Sequence, residues 1–274
     1  MTKRNVFLSQ LTTLLALVLI TQGTLSAQDF SLYEKREFKT TDGHILPYRL
    51  LYPKNYDKTK KYPVILFLHG AGERGNDNEK QLTHGAKLFL DEQNREKYPS
   101  FLIMPQCPQE SYWSSVQADR TRQPMTFTFD YTRPSNWPLE AALDVVEQLT
   151  NQEGVDPRRL YIMGLSMGGM GTFEALYRHP NVFAAAAPIC GGADVAAYDK
   201  RVRKTPFWVF HGAADSVVPV ENSRQIVEKL KELKVPVQYT EYPGVNHNSW
   251  DNAFAEPQLL PWLFSHSRKK KAKF

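Results

Sequence analysis

Short apolar runs ending in glycine or a polar turn recur along this chain. Between them lie stretches whose apolar residues return every three or four positions. Residues 62–70 (YPVILFLHG) form such a run, followed by 101–106, 159–166, 182–192, 205–212 and 235–244. Runs of this length that do not alternate with polar residues suit strands buried on both faces. The alanine-rich stretch 183–187 is the weakest of them and also fits a helix. The helical period marks about 79–90, 139–150, 168–179 and 221–234, the last preceded by Pro219 and carrying Ile226, Val227 and Leu230. Ahead of the first buried run, segments 30–40 and 44–56 read as an antiparallel pair turned at Asp42-Gly43.

Strands alternating with helices predict an α/β fold, with a mostly parallel central sheet and helices on both faces. The C-terminal ends of the strands in such a sheet collect on one edge, where ligands bind. Gly70, Ser166, Gly191 and Gly212 all fall on or just after those ends. The connection 106–138 escapes the alternation, and long connections of this kind are often functional.

A chain of 274 residues, 42% hydrophobic, is enough for one sizeable α/β domain and short for two. Residues 1–27 read as an export leader: Lys3 and Arg4 precede the apolar run LTTLLALVLI, and small residues end at Ala27. The apolar run is short for a membrane span. The expected organisation is therefore a leader over 1–27, a catalytic domain over 28–266 and a frayed basic tail over 267–274. The formal charge of +5 sits at the ends. Without Lys3 and Arg4 and the five tail residues Arg268, Lys269, Lys270, Lys271 and Lys273, it becomes −2. No nucleic-acid partner is expected from that balance, and no stable membrane insertion once the leader is removed.

The chemistry centres on LYIMGLSMGGMG, 160–171, where Gly164-Leu165-Ser166-Met167-Gly168 matches G-x-S-x-G between a strand and a helix. A serine on so sharp a turn adopts unfavourable backbone angles, and the chain passes so closely that side chains at 164 and 168 would collide. Ser166 is the candidate nucleophile. A nucleophilic hydroxyl needs a base, and the base needs an orienting acid. His247, after the last strand, is the candidate base. His69 sits where it would brace a loop, His179 where it would cap a helix, and His266 beside the tail. Asp215 lies between a strand and a helix, after the serine and before the histidine. Asp194 and Asp199 leave the preceding strand, and Asp251 follows the histidine. The oxyanion donors expected are the backbone N–H of Met167 and that of Ala71, with Gly72 the alternative to Ala71. No cofactor motif and no spaced metal-ligand cluster emerges.

With those residues in place, the chain resembles the α/β-hydrolase superfamily. Its closer likeness is to secreted bacterial phospholipase/carboxylesterase-like or prolyl-oligopeptidase-like serine hydrolases, including feruloyl- and acetylxylan-esterase-like members. LHGAGERGND (68–77), GLSMGG (164–169), FHGAADSVVPV (210–220) and YPGVNHNSWD (242–251) carry the resemblance. It implies ester hydrolysis through an acyl-enzyme, on small acyl or phenolic esters, including carbohydrate-linked ones, with peptide hydrolysis as the alternative. A noncatalytic binding protein would keep the fold but lose one of these groups. The family's sheet order would also separate the strands before Cys107 and Cys190 by two others, leaving two free thiols.

Substrate contacts are expected from Glu73 and Arg74, after the oxyanion loop, and from Trp113 and Trp137, with Tyr131 and Arg133, in the 106–138 connection. Glu73 and Arg74 also suit a simple surface pair, and the aromatic residues simple packing. The connection between 191 and 206 is too short for a large lid, which favours an open site. An exported enzyme, periplasmic or secreted, acting on a small-molecule or carbohydrate ester is the expectation.

Overall fold

A computed structural model describes residues 29–122, 124–152 and 154–274. The leader expected over 1–27 lies outside the described residues. The strands are β1 (Tyr33–Lys39), β2 (Ile45–Leu51), β3 (Tyr62–Leu68), β4 (Phe101–Pro105), β5 (Val116–Asp119), β6 (Thr126–Phe129), β7 (Val155–Leu165), β8 (Ala185–Ile189), β9 (Phe207–Gly212) and β10 (Val237–Tyr242). The helices are α1 (Ala86–Leu90), α2 (Glu92–Lys97), α3 (Trp137–Thr150), α4 (Met167–Arg178), α5 (Glu221–Glu232), α6 (Trp250–Phe254) and α7 (Leu259–Phe264).

Eight strands form one sheet in the order β1-β2-β4-β3-β7-β8-β9-β10. β2 pairs antiparallel with β1 and β4, and every other pairing in that sheet is parallel. The reason lies in the two-residue period of a strand. Along β3, Val64, Leu66 and Leu68 belong to one buried cluster with side chains of α3, α4 and α5, while Ile65 and Phe67 belong to another with side chains of α1, α6 and α7. All five are fully buried, and burying each such side chain contributes about 1.5–3 kcal/mol. A continuous apolar run thus becomes the middle layer of three.

The expected α/β class holds, and residues 183–187 contribute to a strand rather than a helix. The expected helix over 79–90 does not form as one piece. Gly85 interrupts it at φ +81°, and a Cβ there would lie 2.5 Å from the Phe67 ring. A short 3-10 turn, Lys80–Leu82, and α1 remain on either side of the break. The basic tail is not frayed. The Arg268, Ala272 and Lys273 amides donate to the carbonyls of Arg158, Pro157 and Asn181, and Ala272 and Phe274 pack on the core. Its apolar residues and free amides find partners at the N-terminal ends of β7 and β8, the sheet edge opposite Ser166.

Within 106–138 a small antiparallel hairpin, β5 with β6, stands apart from the main sheet. The buried Glu174 carboxylate of α4 ties down the chain ahead of it by accepting from Ser114 Oγ (2.8 Å), Ser115 N (2.6 Å) and Ser115 Oγ (2.9 Å). No helix among the described residues is long and apolar enough to cross a membrane.

Candidate active site

Ser166 stands between β7 and α4 at φ 53°, ψ −116°, a left-handed conformation that costs a non-glycine residue about 1–3 kcal/mol. Its N–H donates to Ile189 O at 2.8 Å, which anchors the turn to the neighbouring strand. A Cβ on Gly164 would lie 2.3 Å from Gly168 O, and one on Gly168 1.9 Å from Leu68 O. The spacing of G-x-S-x-G is thus a steric requirement of the turn.

His247 Nε2 lies 3.0 Å from Ser166 Oγ, and its Nδ1 lies 2.7 Å from Asp215 Oδ2. An ionised carboxylate can only accept, so Nδ1 carries the proton and Nε2 is left to accept the serine hydroxyl. The Asn246 side chain holds the adjoining turns together, its Oδ1 accepting from Ser216 N (2.8 Å) and His247 N (2.7 Å). Asp215 Oδ1 accepts from the amides of Val217 and Val218, each at 2.9 Å. Burial pushes the Asp215 pKa upward. Hydrogen bonds from His211 and His247, the His247 charge and the Val217 amide outweigh that and hold it well below the ordinary carboxylate range.

The rival carboxylates are engaged elsewhere. Asp194 accepts from Tyr131 N at 3.0 Å, Asp199 from Arg201 N at 2.8 Å, and Asp251 from Asn248 Nδ2 at 3.2 Å. His179 Nε2 lies 3.1 Å from Glu140, and His266 Nδ1 lies 2.7 Å from Trp262 O.

Met167 begins α4 and Ala71 begins the 3-10 turn Ala71–Glu73, so both amides belong to a helical first turn, where N–H groups lack an intrahelical acceptor. Behind that turn lies His69, which is buried. Its Nε2 accepts from Cys107 N (2.9 Å), so Nδ1 donates to Gly70 O (2.6 Å), and the Trp113 indole donates to His69 O at 3.1 Å. Burial lowers the His69 pKa to about 4, which keeps the ring neutral.

A cavity of about 280 Å³ opens over Ser166, and Ala71, Gly72, Met167 and His247 line it. So does Glu73. Arg74 does not: it donates to the carbonyls of Ala71, Gln109 and Ser111 and lies over the Tyr112 ring, clamping two loops together. Neither expected tryptophan reaches the cavity. Trp113 is fully buried against α4, where its bulk fills the space left open by Gly171. Trp137 begins α3 and stacks on His44 at 4.4 Å. Tyr131 is buried against Tyr177, and Arg133 offers its carbonyl to Arg178. The 106–138 connection instead supplies Tyr112, Arg120, Met125 and Phe127, the last three from the β5–β6 hairpin. Residue-by-residue alternation at 126–129 (TFTF) was the available signal for that hairpin. His84 and Trp250 also line the cavity, as do Met170, Val217 and Val218.

His211 also escapes a reading of the sequence. Its fully buried ring places Nε2 3.0 Å from Val218 O and 3.2 Å from Asp215 Oδ2, while Nδ1 lies 2.7 Å from Ser223 Oγ. The signal was its position before Gly212 at a strand end, which repeats His69-Gly70. Cys107 and Cys190 are both buried and free, with β3 and β7 between the strands that precede them. Among the described residues, ligand atoms of Cys190, Asp215 and His247 converge within 4.8 Å. Burial raises the Cys190 thiol far above its ordinary value, which opposes the thiolate that a metal would need.

Known proteins resemble this chain in sequence and fold. The chain is 40% identical to a thermostable esterase of known structure, with a TM-score of 0.78 over 87% of this chain and 64% of that one. It is 26% identical over 191 residues to a carboxylesterase of Arabidopsis thaliana, covering 67% of this chain and 82% of the plant protein. It is 29% identical over 130 residues to a bifunctional acetylxylan esterase/xylanase of Neocallimastix patriciarum, covering 45% of this chain. The match spans 19% of the fungal enzyme's own length. All three are described as esterases. Residues 55–258 match the phospholipase/carboxylesterase family of α/β-hydrolases, and the chain belongs to that family.

Proposed function

We propose that this protein is a serine carboxylic-ester hydrolase that works through an acyl-enzyme. The observation that carries the reading is the continuous chain from Ser166 Oγ through His247 to Asp215, at 3.0 and 2.7 Å, open to a cavity at Ser166. Ser166 Oγ attacks the ester carbonyl carbon while His247 Nε2 takes its proton. The N–H groups of Met167 and Ala71, with Gly72 beside Ala71, receive the oxyanion. Protonated His247 then gives its proton to the departing alkoxide, and the C–O bond breaks. Water, deprotonated by His247, attacks the acyl carbonyl and releases the acid and Ser166. Asp215 fixes the imidazole tautomer and stabilises its charged form without taking the proton.

The cavity suits small acyl or phenolic esters, for Met125, Phe127, Met170, Val217 and Val218 give it an apolar lining. The likeness to an acetylxylan esterase/xylanase supports carbohydrate-linked esters among the substrates. The basic start, apolar centre and small exit of residues 1–27 support export to the periplasm or medium, with removal of that segment.

The test is Ser166→Ala, which should abolish labelling by an organophosphonate and remove nearly all turnover on a panel of short acyl esters, feruloylated sugars, acetylated xylan fragments and peptides. Labelling that persists at full stoichiometry overturns the assignment of the nucleophile, and cleavage of the peptides alone moves the protein to the peptidases.

A further inference from the structure

Among the described residues, Glu73 is the one acidic side chain in the cavity wall. Its carboxyl is mostly buried, and among the described residues Oε2 accepts no hydrogen bond of good geometry, the Gly70 and Glu73 main-chain N–H groups lying near the carboxyl without pairing with that oxygen. That oxygen lies close to the nucleophile: a Cβ built on Gly70 would be 3.0 Å from Glu73 Oε2 and 3.7 Å from Ser166 Cβ. The other carboxyl oxygen faces His84 Nε2 at 3.8 Å. A buried polar atom left without a partner destabilises the fold, so an unpaired oxygen beside a nucleophile marks a place that a ligand completes.

Ring contacts indicate which half of an ester lies there. His247 meets Trp250 edge to face at 5.3 Å, and Trp250 meets His84 at 5.0 Å. One wall therefore runs from His247 through Trp250 and His84 to Glu73. The departing alcohol must lie against His247, which protonates it, so this polar wall borders the alcohol. The apolar residues of the lining are left for the acyl group.

We propose that Glu73 reads the alcohol half of the ester, its free carboxyl oxygen pairing with a hydroxyl close to the ester oxygen, so that the enzyme prefers esters of polyhydroxy alcohols such as sugars to esters of simple alcohols. This rests on the serine-esterase reading and adds a residue that sets its selectivity. Burial raises the Glu73 pKa, with His84 and the main-chain N–H groups of Gly70 and Glu73 opposing. A hydroxyl suits the carboxyl in both protonation states, donating to the carboxylate and accepting from the acid. An ammonium group would require the ionised form and would meet His84 beside it. A neutral hydroxyl is therefore the better partner.

The test compares two acetate esters that differ in hydroxyl groups, glyceryl monoacetate and propyl acetate, by kcat/KM. The wild-type protein should prefer the glyceryl ester by roughly 10- to 100-fold, the range for a hydrogen bond to a charged group. Glu73→Leu should bring the ratio close to one. Glu73→Gln, which keeps the size and a weaker acceptor, should lower it several-fold and gives the reading if Glu73→Leu does not fold. A wild-type ratio near one overturns the proposal, as does an equal fall on both esters in either variant. Hydrolysis of propyl acetate by the wild-type protein, lost in Ser166→Ala, would leave the esterase reading standing in those cases. Failure of the wild-type protein on both esters would overturn the two together.

Discussion

Two strand ends of this sheet carry the same dipeptide, and the two histidines act on different partners. His69-Gly70 follows β3 and His211-Gly212 ends β9, and both rings are buried. His69 touches main chain, accepting from the Cys107 amide and donating to the Gly70 carbonyl. It thereby fixes the loop that presents the Ala71 and Gly72 amides. His211 faces a carboxylate, its Nε2 lying 3.2 Å from the same Asp215 Oδ2 that meets His247 Nδ1. One histidine positions a dipole and the other supports a charge. The difference comes from what the following loop brings back to the ring, which the dipeptide itself does not encode.

The strongest break in this comparison removes the charge. Asp215→Asn should leave the fold intact and lower kcat by roughly 10⁴-fold, because the His247 tautomer and its charged form lose their partner. Asp194→Asn and Asp199→Asn, whose carboxylates serve loop amides, should change kcat by no more than a few-fold. Steady-state kinetics on one short acyl ester checks all three. Near-wild-type turnover in Asp215→Asn would assign the acid elsewhere.

His211→Leu should have the next largest effect, a fall in kcat of roughly 10-fold with KM little changed, since removing a hydrogen bond to a charged group costs about 1.5–3 kcal/mol and His247 still holds the carboxylate. A second readout separates positioning from general damage. The hydrogen bond from His211 helps depress the Asp215 pKa, so its loss raises that pKa. A depressed carboxylate stays ionised down to its lowered pKa, so the Asp215 carboxyl of His211→Leu should titrate at higher pH than in the wild-type protein, read by carbon-13 NMR of the carboxyl. An unmoved titration would reduce His211 to packing.

The smallest effect on turnover is expected from His69→Gln, a few-fold at neutral pH, because its amide can still reach one of the two main-chain partners. Stability against pH sharpens the contrast. The His69 pKa in the fold, about 4, lies below its ordinary value of 6.5, so the unfolded chain binds the extra proton first. The contribution is therefore fully present above pH 6.5 and is lost as pH falls towards 4. It amounts to roughly 3 kcal/mol over that range, at 1.36 kcal/mol per unit. Urea midpoints measured across this window should fall in the wild-type protein and flatten in His69→Gln. Equal slopes would place the acid sensitivity in other groups.

What the sequence determined is whatever a few neighbouring residues can state. Unbroken apolar runs and the 3.6-residue period gave the strands of the main sheet and the three long helices, and the glycines at 164 and 168 marked the turn at Ser166, because steric crowding there is local. The order of Ser166, Asp215 and His247 followed from strand ends that a parallel sheet must gather on one edge. Gly85 was local too, yet its effect on the 79–90 helix needed the Phe67 ring, a neighbour that only folding brings there. Tertiary structure alone decided which aromatic residues serve the site. Trp113 and Phe127 lie in the same connection, but Glu174 and His69 fix the first against α4 while the β5–β6 hairpin turns the second to the cavity. In the same way Arg74 turned from Glu73 to three loop carbonyls, and Glu73 was left facing His84 beside Ser166. An aromatic or charged side chain in a loop can pack, pair or bind with equal chemical fitness, and the choice is made by contacts tens of residues away in the chain, which no local pattern contains.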